Sequence, residues 1–203
     1  MPWLLTNSHS GEFEVVWRFE DQELDRSIEL WNGPKLSPEE IARLECARIL
    51  IAWPDKKPLP DILSGSGYPQ IFSEHARKVV DELEPDAHTF VRIRLVHETG
   101  EYEIEASYFL LVVHQKVSAV IKDKSDYKAM PLSITGGKFD SLRIGDNDKR
   151  TLDRAAIKGL HLFRDTNFGR RLFCSDAFKT MIEDLPGDIG FKTCLVAVAG
   201  LER

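Results

Sequence analysis

The chain has 203 residues, enough for one sizeable core or one domain with a small appendage. Its 42% apolar and 30% charged residues suit a soluble globular fold and are too apolar a mix for general disorder. With 33 Asp and Glu against 27 Lys and Arg the formal net charge is −6, which argues against sequence-independent nucleic-acid binding and suits a basic macromolecular partner.

The opening MPWLLTNSHSGEFEVV has no cationic region and too short an apolar run for a signal peptide, so a cytoplasmic protein is expected. EFEVVWRF (12–19) alternates, with Phe13, Val15, Trp17 and Phe19 on one face of a predicted strand. LSPEEIARL then carries a helix start. Ser37 is the candidate N-cap, Pro38 fits the first helical position and Glu40 completes a capping box, which places a short helix near 38–45. RILIAW (48–53) has strand composition and ends at Pro54. The Pro- and Gly-rich segment 54–70 reads as a connection. A single domain over 1–203 is expected, and an N-terminal subdomain 1–58, if there is one, ends there.

Ser73-Glu74-His75 sets a hydroxyl, a carboxylate and an imidazole side by side, which raises a hydrolase as one reading. A hydrolytic serine sits in a glycine-flanked elbow and takes its base from elsewhere in the chain. Here Phe72 and Glu74 flank the serine, and His75 leaves a helix on a different side. The alternative is a helix start near 74–84, with Ser73 as cap, Glu74 at the positive end of the dipole and Ala76, Val79, Val80 and Leu83 as the buried stripe. The same order of parts recurs at Ser175, Asp176, Phe178, Met181 and Ile182, which predicts a second helix near 176–185 followed by a strand. Ala177 stands there in place of His75. A repeat that drops the base favours the cap.

Between these helices, HTFVRIRLV (88–96) is predicted to turn at Glu98-Thr99-Gly100 into a second strand, EYEIEASYFLLVV (101–113). Glu101, Glu103 and Glu105 then share one strand face, about 7 Å apart, opposite Arg92 and Arg94. That predicts a charge-paired face in place of a metal site. YFLLVV, the longest fully apolar run, is too short to span a bilayer. Residues 122–151 are rich in Gly, Asp and Lys and predict short strands and exposed turns. Gly136-Gly137 and Gly65-Ser66-Gly67 lack the neighbours of a phosphate loop or dinucleotide fingerprint. Cys46, Cys174 and Cys194 are odd in number and widely spaced, as in a reducing compartment; His9, His88, His97 and His114 lack metal-ligand spacing, and His161, alternating with Leu160 and Leu162, reads as a satisfied strand histidine. The pattern predicts an α+β fold with a mainly antiparallel sheet and two helix-then-strand modules, and neither catalytic, cofactor-binding nor metal-binding residues.

Several segments recur in a familiar order. They are a strand with tryptophan, Trp31-Asn32-Gly33-Pro34, Pro60-Asp61-Ile62-Leu63, Ser73-Glu74 opening a helix and Gly100-Glu101-Tyr102. Gly159-Leu160-His161-Leu162-Phe163-Arg164 and Leu172-Phe173-Cys174-Ser175-Asp176 complete the set. Together they resemble the eleventh family of bacterial immunity proteins, the myxobacterial-type proteins of polymorphic toxin systems. The resemblance implies a non-enzymatic, cofactor-free α+β protein that binds and neutralises a cognate toxin encoded nearby, with neither nucleic acid nor membrane as partner. It transfers no contact residues. On charge alone the candidates are Asp81, Glu82, Glu84 and Asp86 at a helix end, and Glu101, Glu103 and Glu105 on the hairpin. A hydrolase using Ser73 and His75, or a non-catalytic adaptor, are the competing readings.

Overall fold

The computed structural model describes residues 2–7, 16–21, 36–52, 59–64, 70–131, 138–142, 149–168, 172–185, 191–195 and 197–199. The chain divides into two compact units, one of residues 7–114 with 181–192, the other of 1–6, 115–180 and 193–203. The fold is α+β, as expected, and among the described residues most strand pairings are antiparallel and three are parallel.

The first strand, β1 (Pro2–Asn7), gives its residues 2–6 to the second unit. The first unit is a six-stranded sheet of β2 (Val16–Phe19), β3 (Arg48–Ala52), β4 (Ile62–Ser64), β5 (Gln70–Ser73), β6 (Thr89–His97) and β7 (Tyr108–Val112). Its order is β2-β3-β6-β7-β5-β4, with β3 and β6 parallel and the other pairs antiparallel. Because β3 pairs directly with β6, residues before and after 54–70 share one sheet. The expected boundary there does not separate a subdomain 1–58. Residues 53–58 and 65–69, like Trp31-Asn32-Gly33-Pro34 and Gly136-Gly137, lie outside the described residues.

Alternation sets what each face of this sheet buries. Val91, Ile93 and Leu95 of β6 join Ile71 and Leu110 in a core against α1 (Pro38–Glu45), whose Leu44 is fully buried in the same cluster. The capping box of α1 is present as read from sequence, with Glu40 N–H donating to Ser37 Oγ at 3.2 Å and Ser37 N–H to the Glu40 carboxylate at 2.6 Å. On the opposite face Phe72, Phe90 and Phe109 meet edge to face, with centroids 6.1 and 6.5 Å apart. There α2 (Glu74–Leu83) buries Ala76, Val79 and Val80, and Arg77 lies 4.7 Å over the Phe109 ring.

One expectation fails at the hairpin. Val96 faces Glu103, and Ile93 faces Tyr108, so four residues (104–107) stand opposite two (Arg94 and Leu95). Residues 101–107 therefore form a bulged excursion and no continuous strand, and Glu101, Glu103 and Glu105 do not form one strand face. The physical reason is the run of paired alternation ending at Glu105-Ala106-Ser107: Ala106 N–H folds back to Ile104 O at 2.8 Å instead of reaching β6.

In the second unit β8 (Lys116–Val117) leads into a 3-10 turn at Lys122–Lys124. An antiparallel pair β9 (Tyr127–Pro131) and β10 (Lys138–Leu142) follows, and then β11 (Thr151–Asp153), which pairs in parallel with β15 (Ala197–Ala199). The main sheet runs β14-β1-β13-β12-β8, with β12 (Leu162–Asp165), β13 (Leu172–Ser175) and β14 (Phe191–Leu195). The helix α3 (Asp176–Glu183) follows β13 directly. Leu4, Phe163 and Phe173 centre the core, the two phenyl rings stacked at 5.4 Å. The fully buried Asp165 carboxylate accepts four backbone N–H groups, from Ala119, Val120 and Asn167 at 2.7 Å and from Phe168 at 3.2 Å. Cys46 is exposed and Cys174 buried, and neither is in a disulfide.

The sequence echo at the two serines extends to sheet order and register. In the first unit the order β4-β5-β7-β6 places the strand before the helix beside a short antiparallel partner, with one strand inserted before the strand after the helix. In the second unit β12-β13-β1-β14 does the same around α3. Ile62 pairs with Phe72 as Leu162 pairs with Cys174, and Ser73 pairs with Tyr108 as Ser175 pairs with Pro2. Lys179, four residues after its cap serine like Arg77, lies 4.7 Å over the Trp3 ring. The chain thus contains two copies of the same supersecondary design, and in the second copy the inserted strand comes from the N-terminus.

Candidate functional site

Ser73 ends β5 and caps α2. Its Oγ accepts the Ala76 N–H at 3.2 Å and donates to Asp61 Oδ1, while its own N–H donates to the Asp61 carbonyl at 2.8 Å. His75 Nδ1 stands 3.7 Å from the same Asp61 Oδ1, with its side chain 65% exposed. No hydrogen bond joins Ser73 to His75 among the described residues. The carboxylate sits between hydroxyl and imidazole, whereas nucleophile activation needs the imidazole in the middle. This cluster is a buried helix cap with an imidazole at its rim.

The second copy supplies a comparison. Ser175 Oγ accepts the Phe178 N–H at 3.1 Å, and Ser175 N–H donates to the His161 carbonyl at 2.9 Å, matching the bonds of Ser73 to helix and preceding strand. Position 61 is occupied there by His161, whose Nδ1 lies 2.8 Å from Ser175 Oγ. An imidazole therefore satisfies the serine as well as a carboxylate does, and the fold does not require an acid at Asp61.

A cleft of about 590 Å³ lies beside the cap of the first copy. Asp61, Ser73, Glu74 and His75 form one side, and the 103–107 excursion with Tyr102, His97 and Tyr108 forms the other. Tyr102 is 44% exposed and stacks on His97 with centroids 4.9 Å apart. Tyr108 donates to the Pro60 carbonyl at 2.8 Å. Burial, and then the Asp61 charge, push its phenol well above the ordinary range, so it stays a donor. Glu103 pairs with Arg94, an ion pair that raises the Arg94 guanidinium further, first through the hydrogen bond. Glu105 is exposed and makes no hydrogen bond or ion pair among the described residues.

The acidic residues singled out from sequence fall into separate places. Glu103 and Glu105 line the cleft, and Glu101 is exposed near its rim. Asp81, Glu82 and Asp86 are exposed toward the far end of α2, about 10 Å along the helix from Glu74, and Asp81 pairs with Arg77 at 3.3 Å. Glu84 is a correction: it is buried, its carboxylate 3.0 Å from His88 Nε2, and it holds the α2–β6 corner instead of facing outward. His88 Nδ1 accepts the His114 N–H at 3.4 Å, which makes Nε2 the donor to Glu84. Sequence reasoning missed Asp61, His97 and Tyr102 as site residues. The available signal was the position of Asp61 one residue ahead of a short strand, matched by His161.

Among the described residues no group of three or more His, Cys, Asp or Glu side chains is placed to hold a metal ion, and no helix is long and apolar enough to cross a membrane. The sequence matches the Immunity protein family (Imm11) over residues 14–197, most of the chain, and the chain belongs to that family. Membership implies an immunity function and, in general terms, a toxin as partner. No curated protein matches the sequence.

Proposed function

We propose that this protein binds a cognate toxin domain of a polymorphic toxin system in the cytoplasm of the cell that makes both, and neutralises it by covering its working surface. The family match over residues 14–197 carries the reading. The net charge of −6 supports a partner with a basic groove, as a nuclease has, which an acidic inhibitor finds faster and occludes both sterically and electrostatically. Inhibition of this kind needs complementarity and no chemistry, so neither cofactor nor catalytic residue is called for. The exposed acids Asp81, Glu82, Asp86, Glu101, Glu103 and Glu105 are the proposed contact residues on the immunity side, and the buried Glu84 is not among them.

Co-expression tests the proposal. Cells carrying the toxin domain encoded beside this gene should survive only when this protein is also made. Survival without it, or death despite it, would remove the immunity reading. An adaptor or a hydrolase would leave the toxin's effect unchanged.

A further inference from the structure

Asp61 combines burial with an unused oxygen. Its side chain is only 10% exposed, and its Oδ1 serves both Ser73 and His75. Its Oδ2 receives no hydrogen bond from any described residue, and Asp61 lines the cleft. That oxygen is not sealed from water, so it opens to the cleft as an acceptor. The structure itself shows that the position tolerates another residue, since His161 fulfils the same capping duty in the second copy. The cap itself therefore does not need the charge at Asp61.

We propose that the cleft beside Asp61 receives an arginine side chain of the toxin, its guanidinium held by Asp61 Oδ2 and Glu105 and laid against Tyr102. The proposal rests on the immunity reading and names the chemistry that the partner presents. Three features select a guanidinium. Glu105 adds an uncompensated negative charge at the mouth, where Glu74 and Glu103 are paired with Arg77 and Arg94, and this favours a cation. Asp61 Oδ2 and the uncommitted Glu105 offer acceptors to a forked donor, which arginine supplies and lysine does not. Tyr102, half-exposed and stacked on His97, presents a planar aromatic lip of the kind on which a guanidinium stacks, as Arg77 does over Phe109 in the same unit.

The test titrates the labelled full chain with N-acetyl-arginine amide and follows its backbone amide resonances, with N-acetyl-citrulline amide as the isosteric neutral control and N-acetyl-lysine amide as the point-charge control. The arginine probe should shift Asp61, Ser73, His75 and 102–105 saturably, with a Kd of about 1–10 mM for a lone side chain. Asp61→Asn, which keeps an acceptor for Ser73, and Glu105→Gln on the exposed rim should each weaken it about fivefold or more. An equal response to citrulline, no response, or equal binding of lysine overturns the proposal. Preserved dispersion of the spectra separates lost binding from lost fold, and Glu105→Gln serves should Asp61→Asn not fold. In a second arm the toxin domain is titrated with wild type and both variants. A wild type that neutralises while both variants do so equally overturns the cleft assignment and leaves immunity standing. A wild type that fails to neutralise overturns immunity, and the assignment of the arginine to a toxin falls with it.

Discussion

Ser73 and Ser175 cap their helices through the same bonds, yet their partners differ in charge. Ser73→Ala removes a cap and also takes the donor from a buried carboxylate, Asp61. Ser175→Ala removes a cap beside an imidazole that is partly exposed. Denaturant titration should therefore show a loss of about 2 kcal/mol for the first and about 1 kcal/mol for the second. Equal losses would mean that Asp61 finds another donor. The largest single-residue loss is expected at Asp165, where alanine strands four backbone N–H groups bonded to one fully buried carboxylate. That substitution should cost at least about 3 kcal/mol in the same measurement. Asp61→His, by contrast, installs the residue that the second copy already uses, and it should change stability by less than about 1 kcal/mol while removing the cleft's deepest charge.

At the scale of elements, the helices were the most legible. The start of α1 follows from Ser37, Pro38 and Glu40, because a capping box and an N1 proline are local signals that tertiary contacts seldom override. The starts of α2 and α3 follow from Ser73 and Ser175 in the same way, and their ends fall one or two residues short of the expected positions. The β6–β7 hairpin was less legible. Alternation continues through Glu101, Glu103 and Glu105, so the pattern alone extends the strand, while the extra residues at 104–107 are a matter of register that periodicity does not encode. That bulge forms one wall of the cleft, and so the site was hidden with it. At the other end of the unit, the corner between α2 and β6 is held by Glu84 and His88, both buried. His88→Ala removes the 3.0 Å partner of a carboxylate that is 4% exposed and should destabilise by about 2–3 kcal/mol in chemical denaturation. An exposed, partner-facing Glu84 would instead make that substitution nearly neutral.

The chain repeats one supersecondary design, and its first copy carries a cleft with an acid in it. The echo at Ser73 and Ser175 was readable because the cap, the acid after it and the apolar stripe are short-range patterns. The matched register of Ile62 with Phe72 and Leu162 with Cys174 was not, since strand pairing joins segments that the sequence keeps apart. Nor did the sequence reveal that the N-terminal β1 completes the second copy's sheet. Membership in the Imm11 family rests on the match over residues 14–197. Neutralisation by direct binding of a neighbouring gene's toxin domain is the central proposal, and calorimetric titration of the purified protein into such a domain measures that binding. A saturable 1:1 complex with a Kd of about 10 nM or below, weakening as salt is raised, is the predicted result. A titration without binding heat, accompanied by a toxin that keeps its full activity in the presence of excess protein, would contradict it.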